Sequence, residues 1–218
     1  LMTPHGSLAE YAIGKVHAIF HLPRHIPFET AATVPLAAAT AALALFARLG
    51  LPEPSRGNRD LADKPRGGVL VYGAASAVGS FAIKLLKKAN IHLIIAIAGR
   101  GMDHAKSLIS QEKGDVVIDY RSNESAIVRA IVNTIPAGES LLHAVDAVSE
   151  QSSFQVMGKV LDQTSGAASI VTPECPKELP STIRVEFSNV GRIHVNHKHF
   201  GFVWSRMASR GLSGGWLQ

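Results

Sequence analysis

From Gly68 onward, short apolar runs alternate with stretches of helical spacing. The runs are Val69–Tyr72, His92–Ala98, Val116–Ile118, Leu141–Val145, Ala168–Val171 and Ile183–Val190. Helical candidates Ala77–Ala89, Met102–Ser110, Glu124–Thr134 and Gln151–Leu161 lie between the first five. Runs that are apolar throughout suit strands buried on both faces, and a helix between two of them returns the chain to a parallel neighbour. Right-handed crossovers then give an α/β fold with a doubly wound parallel sheet, its ligand crevice at the carboxyl ends of the central strands.

The first crossover, VLVYGAASAVG from Val69 to Gly79, suggests the ligand. The strand ends at Gly73, and only tiny side chains follow until Val78, so backbone N–H groups can approach an anion closely. A pyrophosphate there meets the unpaired amides and the positive end of the helix beginning near Ala77. This is the layout of a dinucleotide-binding turn, although in the G-x-G-x-x-G register Ala74 and Ser76 replace two glycines and only Gly79 remains. The β-carbon of Ser76 narrows the approach, and its hydroxyl can compensate by donating to a phosphate oxygen. An ordinary strand-to-helix turn is the other reading of this stretch.

The second strand ends Ile97-Ala98-Gly99-Arg100, with no carboxylate to hold ribose hydroxyls or to repel a 2′-phosphate. Arg100 can hold such a phosphate through charge-assisted hydrogen bonds, which favours NADP over NAD, or it is simply an exposed loop arginine. Tyr120, just past the third strand, either flanks the same adenosine end or is an ordinary half-buried tyrosine. Asp146 ends the fourth strand, where an aspartate often only caps the following turn, and it is given no catalytic role.

The 218 residues allow one domain or two, and 46% hydrophobic against 18% charged residues argues for a packed core. The formal charge of +5 comes from scattered basic residues, so a cofactor phosphate accounts for part of it and nucleic acid is not required. One cysteine, Cys175, excludes an internal disulfide or a multi-cysteine zinc site and fits a reducing compartment, with the cytoplasm as the default. His194, His197 and His199 have no nearby carboxylate or cysteine to complete a ligand set, and read as a basic surface loop with no metal.

Before the alternating region, Ala9, Tyr11, Ile13 and Val16, Ala18, Phe20 suggest short strands. Glu29 to Leu49 reads helical, kinked or restarted at Pro35 and stopped by Gly50 and Pro52. Its alanine-rich stretch Ala31–Ala47 is expected to be buried in protein and not to span a membrane. Residues 51–67 read as a linker or surface loop.

GSLAEYAIG at Gly6–Gly14, PFETAATVPLAAATAAL at Pro27–Leu43, VLVYGAASAVG, and VVIDYR at Val116–Arg121 together resemble the medium-chain dehydrogenase/reductase superfamily. Within it the chain resembles the zinc-independent quinone reductase and fungal trans-acting enoyl reductase branch, as does HFGFVWSRMASRGLSGGW at His199–Trp216. The resemblance implies a bilobal enzyme with a GroES-like β domain, a Rossmann domain and NADP(H) between them. Residues 1–50 then correspond to a remnant of the GroES-like domain with its connecting helix, 51–67 to a linker, 68–200 to the Rossmann domain and 201–218 to a C-terminal helix region.

By the same resemblance, Gly73, Ala75, Ser76, Ala77, Val78 and Gly79 match the phosphate turn, and Gly99, Arg100, Gly101 and Met102 the loop around the 2′-phosphate. Tyr120 matches the adenosine contact, Val171 and Thr172 the backbone near the nicotinamide, and Thr40 the threonine beside nicotinamide and substrate. Thr40 can alternatively bond its own helix backbone. The implied reaction is metal-free hydride transfer to an enone, enoyl thioester or quinone, by a monomer or homodimer. The resemblance also implies that catalytic-domain sequence before Leu1 and strands after Gln218 are missing. The alternative is therefore a truncated, inactive relative that keeps only nucleotide binding.

Overall fold

The computed structural model describes residues 10–54, 65, 67–174 and 176–217. Its centre is a six-stranded, wholly parallel sheet of β1 (Val69–Tyr72), β2 (Ile94–Ala98), β3 (Val116–Asp119), β4 (His143–Asp146), β5 (Ala167–Ile170) and β6 (Arg184–Phe187), ordered β3-β2-β1-β4-β5-β6. The helices are α1 (Phe28–Ala32), α2 (Val34–Ala42), α3 (Ala77–Lys88), α4 (Met102–Leu108), α5 (Glu124–Thr134), α6 (Gln151–Val160) and α7 (Lys198–Ser213). Successive strands move outward from β1 to β3, then cross back and move outward again from β4 to β6, so the order reverses between β1 and β4. In doubly wound sheets, such a reversal is where the loops from the two strand ends diverge and a ligand crevice forms.

Every residue of β1 and β2 is buried, as strands covered on both faces require. Leu70, Tyr72, Ile95, Ile97, Ala144, Ala168 and Ile170 form one core with Ile127 and Ile131 of α5 and Phe154, Val156, Met157 and Val160 of α6. The alternate residues Val69, Val71, Ile94 and Ala96 point to the other face, where α3 packs on β1 and α4 on β2. Helix starts follow from local chemistry: Asn123 Oδ1 accepts from Ala126 N at 2.9 Å, while Glu150 and Ser153 cap α6 reciprocally. Asp115, buried just before β3, accepts from Ile94 N and Ser110 N, each at 2.9 Å, and so locks the entry of β2 to that of β3.

The helical run expected over Glu29–Leu49 is present as α1, a break at Thr33, α2, and a π-helical segment Leu43–Arg48 that packs on β5 and β6. Pro35 sits in the first turn of α2, where its missing N–H has no partner to lose. The run Phe28–Arg48 is long and apolar enough in composition to cross a membrane, yet more than half of its most apolar window is buried inside the protein.

The strands expected around Tyr11–Ile13 and Val16–Phe20 do not form. Residues 10–22 are irregular, with Tyr11 90% and Ile13 77% exposed. A strand needs a neighbouring ladder to satisfy its backbone, and among the described residues none pairs with this segment. Ala9 and Cys175 lie outside the described residues, as does most of the expected linker, 55–64 and 66.

The described residues fall into two compact units, 40–188, which holds the whole sheet, and a second made of residues up to Ala39 and from Asn189 onward. In the second unit, Ser205 and Ser209 donate through their hydroxyls to His17 O and His21 O, fastening α7 to the irregular segment. His194 ends a short 3-10 helix, Val190–His194, and His197 and His199 flank the start of α7. No group of three or more His, Cys, Asp or Glu residues is gathered to hold a metal among the described residues.

Candidate functional site

The turn after β1 is set by two glycines for different reasons. Gly73 has φ +76°, a left-handed conformation costly for other residues, and a β-carbon there would lie 2.5 Å from Val148 Cγ2. Gly79 is in the first turn of α3, where a β-carbon would lie 2.2 Å from Gly73 O and 2.9 Å from Ala74 Cα. Helix and strand therefore meet backbone to backbone. Ser76 caps the helix, its Oγ accepting from Gly79 N at 3.1 Å, which leaves its O–H proton free to donate outward. The amides of Ala77 and Val78 belong to the turn that α3 itself cannot satisfy, and no other described residue supplies them an acceptor.

The loop after β2 leans on this turn. A β-carbon at Gly101 would lie 2.5 Å from Ala75 Cβ, and one at Gly99 would lie 2.3 Å from Tyr120 Cε1. Tyr120 N donates to Ala98 O at 3.0 Å, so the Tyr120 ring covers Gly99 while remaining 46% exposed. Met102 N donates to Gly99 O at 3.1 Å and opens α4. Between them Arg100 is exposed, and it makes no ion pair among the described residues.

The nearby carboxylate, Asp119 at the end of β3, is fully engaged by its neighbour. Arg121 donates from Nε at 2.9 Å to Asp119 Oδ1 and from Nη2 at 2.7 Å to Oδ2. Those hydrogen bonds, helped by one from Arg121 N, hold the Asp119 carboxyl down at about 2. Among the described residues the geometry is a rim of amides without acceptors, against which packs a loop carrying exposed Arg100 with no ion pair, and this suits a phosphate ester better than a neutral group.

No family model matches the chain. Over 216 residues it is 40% identical to trans-enoyl reductase fsr4 of Gibberella fujikuroi, a span covering 99% of this chain and 63% of that protein. Over 178 residues it is 28% identical to the chloroplastic quinone-oxidoreductase QR1 of Triphysaria versicolor, covering 79% of this chain and 49% of that one. Among solved structures, CurK enoyl reductase superposes with a TM-score of 0.67 at 18% identity, covering 93% of this chain and 55% of its own. A mutant form of enoyl thioester reductase from Candida tropicalis does so with 0.61 at 19%, covering 90% and 53%. The chain is related in sequence to trans-enoyl reductases and to a quinone oxidoreductase, and it shares its fold with solved enoyl reductases. It spans 63% of fsr4 and about half of the quinone oxidoreductase.

Of the positions expected from the sequence to hold a cofactor, the structure gathers Gly73, Ala75–Gly79, Gly99–Met102 and Tyr120 at one end of the sheet. Val171 and Thr172 follow β5, two strands from β1. Thr40 is 6% exposed on α2, just ahead of the π-helical segment packed on β5 and β6.

In the loop after β4, Asp146 caps the turn as its place at the strand end suggests, accepting from Val148 N and Ser149 N, while sequence reading passed over Ser149. Asp146 is fully buried, and that burial raises its carboxyl above the usual range, against hydrogen bonds from Ser153, Ser149 and Val148 that pull it down. Ser149 has φ +59° without being glycine, and its hydroxyl accepts from Val171 N at 2.9 Å. Nothing in the string DAVSE marks a left-handed residue, since the usual glycine or asparagine is absent there.

One pH effect follows at the rim of the site. Asp119 in the folded state lies below the ordinary carboxyl value of 3.8, so its contribution is present above about pH 4 and is lost as pH falls through about 2. A carboxyl NMR titration is expected to place its midpoint near 2. In Arg121→Ala the midpoint is expected to return to the ordinary range, and an unchanged one would show that Arg121 does not hold it.

Proposed function

We propose that this chain binds a nicotinamide dinucleotide, NADP(H) in preference to NAD(H), and is the nucleotide-binding part of an oxidoreductase that reduces an activated C=C bond or a quinone. The observation that carries the reading is the glycine-packed turn of β1 and α3, whose Ala77 and Val78 amides have no acceptor among the described residues, with the Arg100 loop packed on it through Gly101. Ala75–Gly79 would hold the diphosphate, Arg100 with Gly99, Gly101 and Met102 the 2′-phosphate, and Tyr120 the adenosine. Val171 and Thr172 would face the nicotinamide end, with Thr40 beside the substrate. These groups fit: the turn has no side chain larger than valine, and the absence of a carboxylate at the end of β2 leaves a 2′-phosphate unopposed.

When bound, the reduced nicotinamide supplies a hydride to the electron-poor carbon of the acceptor. The chain's own part is to fix the two ends of the dinucleotide and to keep the acceptor's approach to one face. The relatives named trans-enoyl reductase and quinone-oxidoreductase support enones, enoyl thioesters and quinones as the substrate class. The reading takes the reaction as zinc-independent, since the chain has a single cysteine and the described residues gather no metal ligand set. It also takes the protein as cytoplasmic, in a reducing compartment, as a monomer or homodimer with the apolar helical run inside the protein.

Titration of the 218-residue chain with NADPH, followed by oxidation of NADPH against a panel of enones, enoyl thioesters and quinones, tests this. Saturable binding and acceptor-dependent loss of NADPH are expected. Absence of saturable binding overturns the nucleotide reading; binding with no acceptor-dependent oxidation overturns the catalytic one for this chain.

A further inference from the structure

The loop Ala147–Glu150, between β4 and α6, touches both the turn after β1 and the end of β5. On one side Ala147 N donates to Tyr72 O at 3.0 Å, and Val148 Cγ2 lies 2.5 Å from where a β-carbon on Gly73 would be. On the other, Ser149 Oγ accepts from Val171 N at 2.9 Å. The β4–β5 ladder has its last paired residues at Asp146 and Ile170, so the Ser149 hydroxyl supplies the next rung, one residue beyond the sheet.

The loop is held from below by a buried anchor. Asp146 Oδ1 accepts from Val148 N at 2.9 Å and from Ser149 N at 2.8 Å, and Oδ2 accepts from Ser153 Oγ at 2.5 Å. These bonds force Ser149 into the left-handed conformation, where a β-carbon is costly and glycine would be the easier residue. A serine at such a place is explained by its hydroxyl, which donates to Asp146 O at 3.3 Å as it accepts from Val171 N.

We propose that Asp146 and Ser149 are positioning residues that fix the end of β5 relative to the phosphate turn, and so set the nicotinamide half of the dinucleotide; this rests on the nucleotide reading above. The adenosine half is held on the opposite side of β1, at Gly99–Met102 and Tyr120, and among the described residues no hydrogen bond of this loop reaches those residues. Loosening Ser149 therefore disturbs one half of the ligand and spares the other.

The test compares NADPH with 2′,5′-ADP, which carries the adenosine half alone, on the wild-type chain, Ser149→Ala and Ser149→Gly. Both variants are expected to lose about tenfold in NADPH affinity, the size of one modest hydrogen bond, with 2′,5′-ADP changed by less than about twofold. Ser149→Gly also relieves the backbone strain, so a backbone effect alone would leave its NADPH affinity intact and overturn the proposal. Equal losses of both ligands would show a general structural role and overturn it as well. If the wild-type chain binds neither probe, the nucleotide reading falls first and this proposal with it.

Discussion

Gly79→Ala is expected to abolish saturable NADPH binding and to lower the free energy of unfolding by about 3 kcal/mol, the upper range for overpacking a tight interior, as read by urea titration. The added methyl would sit 2.2 Å from the Gly73 carbonyl oxygen and 2.9 Å from Ala74 Cα, and both obstacles are backbone. No rotamer change relieves such a clash, so α3 must move away from β1. The movement carries the Ala77 and Val78 amides and the Ser76 cap with it, because Ser76 Oγ is bonded to the nitrogen of residue 79 itself. A variant that retained both stability and NADPH affinity would show that the turn has slack, and the argument for a close diphosphate approach would go with it.

Arg100→Ala is expected to weaken NADPH binding by roughly 10- to 100-fold while leaving NADH within about twofold, the span given by losing charge-assisted hydrogen bonds of about 1.5–3 kcal/mol. Selectivity is the informative part. The 2′-phosphate is the one group that distinguishes the two coenzymes, so a guanidinium bound to anything else would change both affinities together. Arg121 follows the neighbouring strand β3 but cannot substitute, since its Nε and Nη2 are committed to Asp119. Calorimetric titration with each coenzyme checks this, and a parallel loss for both would remove the case for NADP over NAD.

Most of the sheet and its covering helices were legible in the sequence because their signals are local. Val69–Tyr72 and Glu124–Thr134 form over the expected residues, one as an unbroken apolar run and the other as a helical stripe behind an asparagine cap. Edges were less legible where a single backbone angle decides them. The second strand starts at Ile94 and not at His92, because Leu93 adopts φ +60° and its carbonyl accepts from Val69 N ahead of the regular ladder. The irregular course of residues 10–22 was missed for a different reason: alternation there is compatible with a strand, but the partner that would make it one is a long-range property.

In the candidate site, small residues marked the tight turn after β1, and their crowding at Gly73 and Gly79 is the physical reason they are small. Of the Asp146–Ser149 clamp, only the turn cap at Asp146 left a trace. Its members are common polar residues whose role depends on where β5 ends, and that position is fixed by a strand more than twenty residues away along the chain.

Strand β1 is flanked by β2 on one side and β4 on the other, with helices above and below. Fraying begins at the lateral strands, so this central ribbon is the last part of the layer to open to solvent. The turn mounted on it keeps its shape while the margins breathe, so the flanks can move without disturbing the segment between them.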